Sequence, residues 1–330
     1  MTYRTGPLVV SFAVDVKGRS AVAEALDGAA DTIYLTDVAT EARAEVLAAA
    51  GALLARNTAK ELHAGEPALL TGAKLLQFLS AGVDFIPLGD LPRALPIAGN
   101  RGAYAEPMAE HALAMALAAA KRLLVEHRHL ASGAFNQFLP TRMLRGGICG
   151  VLGFGGIGVA TAHEMRAIGM RIHAINRRGA SDAPVDWIAG PDSLDRLLGD
   201  ADVLVLSTPL TSATRALIDA RALGLMKRDA ILINLARGEI IDEAALYTHL
   251  RKNPDFTACL DAWWIEPVRH GAFRVDHPFL DLPNVIGSPH NSASVAGWRE
   301  VALRRAVANC RRALLGETPH HLIAEDERIA

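Results

Sequence analysis

"GVLGFGGIGVATA", residues 150–162, decides how this chain is read. An apolar run leads into Gly153-x-Gly155-x-x-Gly158, and a helical run, "GIGVATAHEMRAIG", leaves it. Each glycine has a physical job in a strand–turn–helix unit. Gly153 permits the tight turn, Gly155 lets backbone approach a pyrophosphate, and Gly158 lets the helix pack close to the sheet. The helix amino terminus then presents free N–H groups to phosphate charge. A second apolar run, "MRIHAIN" at 170–176, supplies the βαβ context that a bare glycine motif lacks. Gly153, Phe154, Gly155, Gly156, Ile157 and Gly158 are therefore the expected cofactor contacts. A glycine-rich turn of purely structural use is the competing reading.

At the end of that second run stands "INRRG", residues 175–179. An acid here would accept hydrogen bonds from the adenosine ribose hydroxyls of NAD and repel a 2′-phosphate. Asn176 removes the repulsion. Arg177 and Arg178 offer fork-shaped positive donors that suit a phosphate dianion. The pattern points to NADP(H) as the preferred cofactor, with NAD(H) possible. Solvated surface arginines are the plainer alternative.

Outward from the loop, the chain alternates β and α in two series. "PLVVSFAV", "DTIYLT", "GALLAR", "AKLLQFL" and "LPIAGN" read as strands in the first hundred residues, separated by helical stretches. One long helix is expected from Glu106 to about Ser132, followed by a loop, "GAFNQFLPTRMLRGG". From Gly147, "GICGVLGFG", "MRIHAIN", "ADVLVLST", "AILINLA", "TACLDAW" and "NVIGSP" are six candidate strands, and "WREVALRRAVANCRRALLG" is a final helix. Such alternation implies parallel sheets covered by helices on both faces.

Bulk properties exclude several classes. The 330 residues suggest two domains, and 51% hydrophobic residues suffice for sizeable cores. A formal charge of -2 leaves no footprint for nucleic acid. No apolar run reaches the roughly 20 residues of a membrane helix, and the amino terminus reads as a first strand rather than a signal peptide. Cys149, Cys259 and Cys310 lie far apart, without metal-ligand or disulfide spacing, so no metal site is expected and a reducing, cytoplasmic setting is the default.

Three later stretches carry chemistry. "INLARGEIID" puts Arg237 just past an apolar strand, "CLDAWWIEP" puts Glu266 five residues beyond Asp261, and "VIGSPHNSAS" puts His290 past the last strand. Arg, Glu and His thus arrive at carboxyl ends of strands in one sheet, where ligands sit in open α/β folds. Taken singly, each reads as a surface charge, a turn residue or a loop residue. His111, His163 and His249 lie in helical stretches and read as structural or solvated. Of Trp263 and Trp264, at least one is expected in the core, and the other is a candidate to face cofactor or substrate.

These stretches resemble the D-2-hydroxyacid dehydrogenase family, NADP-type and similar to glyoxylate/hydroxypyruvate reductases. "SAGVD" (80–84), "GNRGAYAEPMAEHAL" (99–113), "GVLGFGGIG" (150–158), "STPLTSATRALID" (207–219), "INLARGEIIDEAAL" (233–246), "LDAWWIEP" (260–267) and "HPFLDLPNVIGSPHNSA" (277–293) occur in the family's order along essentially the whole chain. The resemblance implies an oxidoreductase with His290 as acid/base, Glu266 hydrogen-bonded to its ring, and Arg237 on the substrate carboxylate and 2-oxygen. It implies substrate contacts from the N–H groups of Ala81, Gly82 and Val83. Arg56 is a further candidate, weighed evenly against an ordinary strand-end charge, and Ser80 is a candidate to line the same mouth. It implies cofactor contacts from Thr208, Pro209, Ala236 and Asp261, the last facing the nicotinamide carboxamide. Ala262 and Trp263 depart from the family's usual small apolar residue and Phe or Tyr.

The expected architecture is a doubly wound Rossmann cofactor domain, 101–290, inserted into a discontinuous flavodoxin-like substrate domain, 1–100 plus 291–330. Cleft closure at hinges near Gly99–Gly102 and His290–Ser294 would exclude water. Reduction of a 2-oxoacid such as glyoxylate or hydroxypyruvate with NADPH is the first expectation. NAD-linked D-2-hydroxyacid oxidation and a dinucleotide-sensing binding protein are the alternatives. The resemblance also implies a homodimer, with Phe135 and Phe138 near the partner.

Overall fold

The computed structural model describes residues 6–323. The chain divides into two compact units, Met1–Tyr104 with Val295–Ala330, and Ala105–Ser294.

In the first unit, β1 (Leu8–Val10), α1 (Val16–Leu26), β2 (Thr32–Tyr34), α2 (Arg43–Ala48), β3 (Ala52–Ala55), α3 (Thr58–Glu61), β4 (Leu76–Phe78) and β5 (Ile97–Ala98) follow in order. The sheet is parallel, ordered β2-β1-β3-β4-β5. That 2-1-3-4-5 order is flavodoxin-like. Its interior strands β1 and β3 are apolar at every position because both faces are covered, and β4 departs only at the buried Gln77. On one face Leu8, Val10 and Leu54 meet Ala302, Leu303, Ala306 and Val307 of the final helix, Trp298–Leu314. On the other, Val9, Leu53, Leu76 and Phe78 meet Leu47 of α2. The buried Arg43 guanidinium donates to both oxygens of Glu66, at 2.8 and 2.7 Å.

The second unit begins with α4 (Ala105–Ala120) and α5 (Leu123–Ala131). The single helix expected from Glu106 to Ser132 is broken, with Arg122 in the left-handed region at φ 53°. The loop after α5 causes the break: Arg142 N–H takes the Ala120 carbonyl at 2.9 Å, and Lys121 Nζ takes the Arg142 carbonyl at 2.8 Å. Then come β6 (Ile148–Leu152), α6 (Gly156–Ala167), β7 (Arg171–Ile175), β8 (Trp187–Ala189), α7 (Leu194–Asp200), β9 (Val203–Leu206), α8 (Ala220–Leu225), β10 (Ile231–Asn234), α9 (Glu243–Lys252), β11 (Thr257–Leu260), α10 (Pro267–His270) and β12 (Val285–Gly287). The sheet has seven strands, ordered β12-β11-β10-β9-β6-β7-β8. Six were expected; β8 is the addition, a three-residue edge strand. Counted from β6, the order is the doubly wound 3-2-1-4-5-6 arrangement with one further strand. The order reverses between β6 and β9, beside the glycine loop. α4 packs against α6 on one face. Leu204, Leu206, Leu232, Leu260, Trp264 and Phe279 belong to the core of the other.

Candidate active site

The glycine loop joins β6 to α6. Gly153 has φ 102°, and a Cβ there would lie 2.5 Å from the Thr208 nitrogen. A Cβ on Gly158 would lie 2.3 Å from the Gly153 carbonyl. Both glycines are therefore demanded by the protein's own packing. Gly155 differs. Its φ is −98°, and a Cβ there would meet no protein atom within 4 Å. Neither backbone conformation nor packing requires glycine at 155, and its open side leaves this backbone accessible to a ligand. Gly155 caps α6, whose first N–H groups point along a 12-residue dipole. A pyrophosphate fits that opening. Gly156 is exposed, Ile157 half-buried, and Phe154 turns its ring into the core at 6% exposure. Thr208 and Pro209 follow β9, and Ser207 Oγ donates to the Gly153 carbonyl at 2.7 Å, tying this second loop to the first.

At the tip of β7, Asn176 forms its own turn. Its Oδ1 accepts from Arg178 N–H at 3.0 Å and its Nδ2 donates to the Ala180 carbonyl at 2.9 Å. Arg177 and Arg178 stand exposed on that turn.

Three strand ends assemble the chemical groups. Past β10, the buried Asn234 side chain shapes the approach to Arg237: Oδ1 accepts from Ala236 N–H at 3.0 Å and Nδ2 donates to the Arg237 carbonyl at 2.8 Å. Arg237 Nη1 donates to the Ala236 carbonyl at 2.8 Å. Past β11, Glu266 is 6% exposed and accepts from Trp263 N–H at 2.8 Å. Past β12, His290 Nδ1 lies 2.8 and 2.9 Å from the two oxygens of Glu266. Burial works to raise the Glu266 carboxyl. The His290 contact, the Trp263 N–H and the Arg237 charge outweigh it and hold the group below its ordinary range. Because Nδ1 faces the carboxylate, Nε2 is the ring atom left for other chemistry.

Asp261 is fully buried. Its carboxylate accepts from Ser288 Oγ at 2.6 Å, Asn291 N–H at 3.0 Å and Ser292 N–H at 3.3 Å. It thus braces the turn that carries His290. His111, read from the sequence as structural or solvated, reaches from α4 to Ser288 Oγ at 3.1 Å. Asn234, Ser288 and His111 are the supporting residues that sequence reasoning missed. A polar side chain one to three residues from a candidate marks the first two; nothing local marks His111, 177 residues from its partner. Trp263 and Trp264 are both core, 3% and 9% exposed, so neither presents an open face as expected of one of them.

In the first unit, Arg56 follows β3 and Ser80–Val83 follow β4, so both lie at the carboxyl end of that sheet. Arg56 is exposed, its guanidinium 5.7 Å from the Phe12 ring centroid, and its N–H donates to Glu61. Ala81 and Gly82 are half-buried and Val83 is buried. Among the described residues no group of His, Cys, Asp and Glu could hold a metal, and no helix is long and apolar enough to cross a membrane. The three cysteines are free and buried.

A doubly wound sheet with its glycine loop at the topological switch, and a histidine–carboxylate pair at the same strand ends, defines a Rossmann-type dinucleotide-binding protein. The comparisons make this specific. Residues 113–292 match the profile of the D-isomer specific 2-hydroxyacid dehydrogenase, NAD binding domain, and the chain belongs to that family. It is 32% identical to a glyoxylate reductase of Aeropyrum pernix over 263 residues, 76% of this chain and 76% of that one. It is 32% identical to a glycerate dehydrogenase of Cucumis sativus over 250 residues, spanning 69% of this chain but only 63% of the relative's length. A D-isomer specific 2-hydroxyacid dehydrogenase from Xanthobacter autotrophicus Py2, solved with NADPH and MES, superposes with a TM-score of 0.79 at 26% identity, covering 97% of this chain and 98% of that one.

Proposed function

We propose that the protein reduces a small 2-oxoacid, glyoxylate or hydroxypyruvate first, to the D-2-hydroxyacid with NADPH. The observation that carries this reading is the His290–Glu266 pair held beside Arg237 at the strand ends that also bear the glycine loop. NADPH, when bound, would supply the hydride that adds to C2 of the oxoacid, leaving NADP+. His290 delivers a proton from Nε2 to the 2-oxygen, completing the two-electron, two-hydrogen balance. Glu266 keeps Nδ1 protonated and fixes the ring plane. Arg237 grips the carboxylate and 2-oxygen with a planar fork that lysine cannot copy. Gly153 to Gly158, Thr208, Pro209 and Ala236 hold the dinucleotide. Asp261 accepts three bonds from the His290 turn, so we give it first the role of bracing that turn and second the contact to the nicotinamide carboxamide.

For the other unit, the reading assigns substrate contacts to the N–H groups of Ala81, Gly82 and Val83 and to Arg56, all at the carboxyl end of their own sheet. Asn176, Arg177 and Arg178 favour the 2′-phosphate of NADPH, because no carboxylate stands at the tip of β7 to repel it. Steady-state rates for a panel of 2-oxoacids, each with NADPH and with NADH, test the whole reading. Faster turnover with NADPH supports it. Equal or better use of NADH removes the arginine argument and leaves an NAD-linked dehydrogenase. Cofactor binding without any turnover favours a dinucleotide sensor.

We also read the protein as a homodimer in a reducing, cytoplasmic setting. No residue of α5 is buried, and Leu123, Leu130, Phe135, Phe138 and Met143 are all more than half exposed. Apolar side chains this dense on one segment mark an interface. Light scattering that gave a monomer at micromolar concentration would remove the dimer.

A further inference from the structure

Trp263 touches all three strand ends that build the site. Its backbone N–H donates to Glu266 Oε1 at 2.8 Å, and its indole Nε1–H donates to the Ser288 carbonyl at 2.8 Å, two residues before His290. Its backbone packs on Gly238, the residue after Arg237. A Cβ at Gly238 would lie 2.3 Å from the Trp263 carbonyl carbon. Its ring packs on Gly287, where a Cβ would lie 2.9 Å from Cζ2. The ring edge is met by Phe273 at a centroid distance of 5.4 Å. Trp263 thus fills part of the space left at both glycines, shared with the Trp264 nitrogen at Gly238 and with Leu280 Cδ2 at Gly287.

Trp264 offers the contrast within the same dipeptide. It is also buried, it also donates its indole N–H to a backbone carbonyl, that of Ile241 at 2.8 Å, and it stacks on Phe279 at 5.2 Å. None of those contacts reaches Glu266 or the 288–292 turn. Two tryptophans of equal burial and equal bonding therefore differ in what they hold.

We propose that Trp263 is a positioning residue for the proton-transfer pair, setting the turn of His290 through the Ser288 carbonyl while its own backbone fixes Glu266. This rests on the reductase reading. A phenylalanine at 263 would fill much of the same volume without an indole N–H. The indole bond to the Ser288 carbonyl is then one more tie on the turn that carries His290, beside the bonds of that turn to Asp261.

The test compares Trp263→Phe with Trp264→Phe in the full chain. Each loses one indole-to-carbonyl bond and keeps an aromatic ring. The expected result is a kcat about tenfold lower in W263F than in W264F, with the dissociation constant for NADPH within about twofold of wild type in both. In a Glu266→Gln background, W263F should add less than about twofold, because the pair it positions is already disabled. Equal kcat in the two variants, or a full tenfold loss retained over E266Q, overturns the proposal. If W263F does not fold, Trp263→Tyr likewise removes the indole N–H while keeping an aromatic ring, and should lower kcat in the same way; an unchanged kcat there counts against the proposal.

A second readout needs no turnover. The NMR signals of the His290 ring should move in W263F and stay in W264F. A wild-type chain that turns over no 2-oxoacid sinks the reductase reading, yet this comparison still decides whether Trp263 holds His290. Unmoved signals in W263F overturn it.

Discussion

His290 meets Glu266 from a left-handed backbone: at φ 51° its Nδ1 lies within 2.9 Å of both carboxylate oxygens. That conformation costs a non-glycine residue on the order of 1 kcal/mol or more. It is offset by the bonds from Ser288, Asn291 and Ser292 to Asp261 that close around it. Replacing His290 with alanine should cut kcat by about a hundredfold or more and leave cofactor affinity nearly unchanged. Rates and NADPH binding measured on one preparation decide this; near-full activity would take His290 out of the mechanism.

The depressed Glu266 carboxyl makes a stability prediction with a definite sign. In the unfolded chain a glutamate titrates near about 4.3, and in the folded protein Glu266 titrates lower. Its contribution is therefore complete above that unfolded value and is lost as pH falls through the folded one. Glu266→Gln should be less stable than wild type at pH 7, and the gap should close below about pH 4. Denaturant melts of both proteins across that range provide the check; a gap that widened on acidification would contradict it.

Glycines of one motif should separate by function. Gly158→Ala should lower the melting temperature, because its Cβ would press on the Gly153 carbonyl and overpacking costs about 1–3 kcal/mol. Gly155→Ala should melt like wild type and lose cofactor affinity by tenfold or more, taking about 1.4 kcal/mol per factor of ten. Calorimetry and fluorescence titration with NADPH distinguish the two. Unchanged cofactor affinity in G155A would remove the pyrophosphate from that turn.

At the tip of β7, Asn176→Asp with Arg177→Ala should swing preference toward NADH. An aspartate keeps the acceptor for Arg178 N–H that Asn176 Oδ1 provides, so the turn survives while its charge changes. The ratio of kcat/KM for NADH over NADPH should rise by at least about tenfold. An unmoved ratio would mean that the arginines are solvent-facing only.

Far from these groups, Arg43 and Glu66 form a forked pair in the first unit, and the Arg43 bonds hold Glu66 below its ordinary range against the pull of burial. Glu66→Gln strands a buried guanidinium and should cost about 3–5 kcal/mol. Hydrogen exchange of β1 to β4 should accelerate accordingly, while the sheet of the other unit keeps its protection.

Much of this was legible in residues. The glycine loop announced the strand–turn–helix because three glycines, an apolar run before and a helical run after all agree. Arg237, Glu266 and His290 could be singled out because each comes a few residues after an apolar strand. The break at Arg122 was illegible: "AAAKRLL" carries no helix breaker, and the cause is a loop twenty residues on that takes the Ala120 carbonyl. β8 was hidden because three residues, Trp187–Ala189, carry too little period to register. His111 looked like any polar residue on a helix, since only the fold brings α4 to the end of β12. The two tryptophans looked interchangeable because adjacency in sequence says nothing of which carbonyl each indole meets.

The final helix has a consequence for how the chain is born. Leu303, Ala306 and Val307 complete a core whose other half, Leu8, Val10 and Leu54, leaves the ribosome some 250 residues earlier. At about 5–20 residues per second that half waits tens of seconds with an uncovered sheet face. The inserted unit needs nothing made after Ser294 and can fold during the wait. A released chain truncated just before Trp298 should therefore carry one protease-resistant unit and one that is still cut.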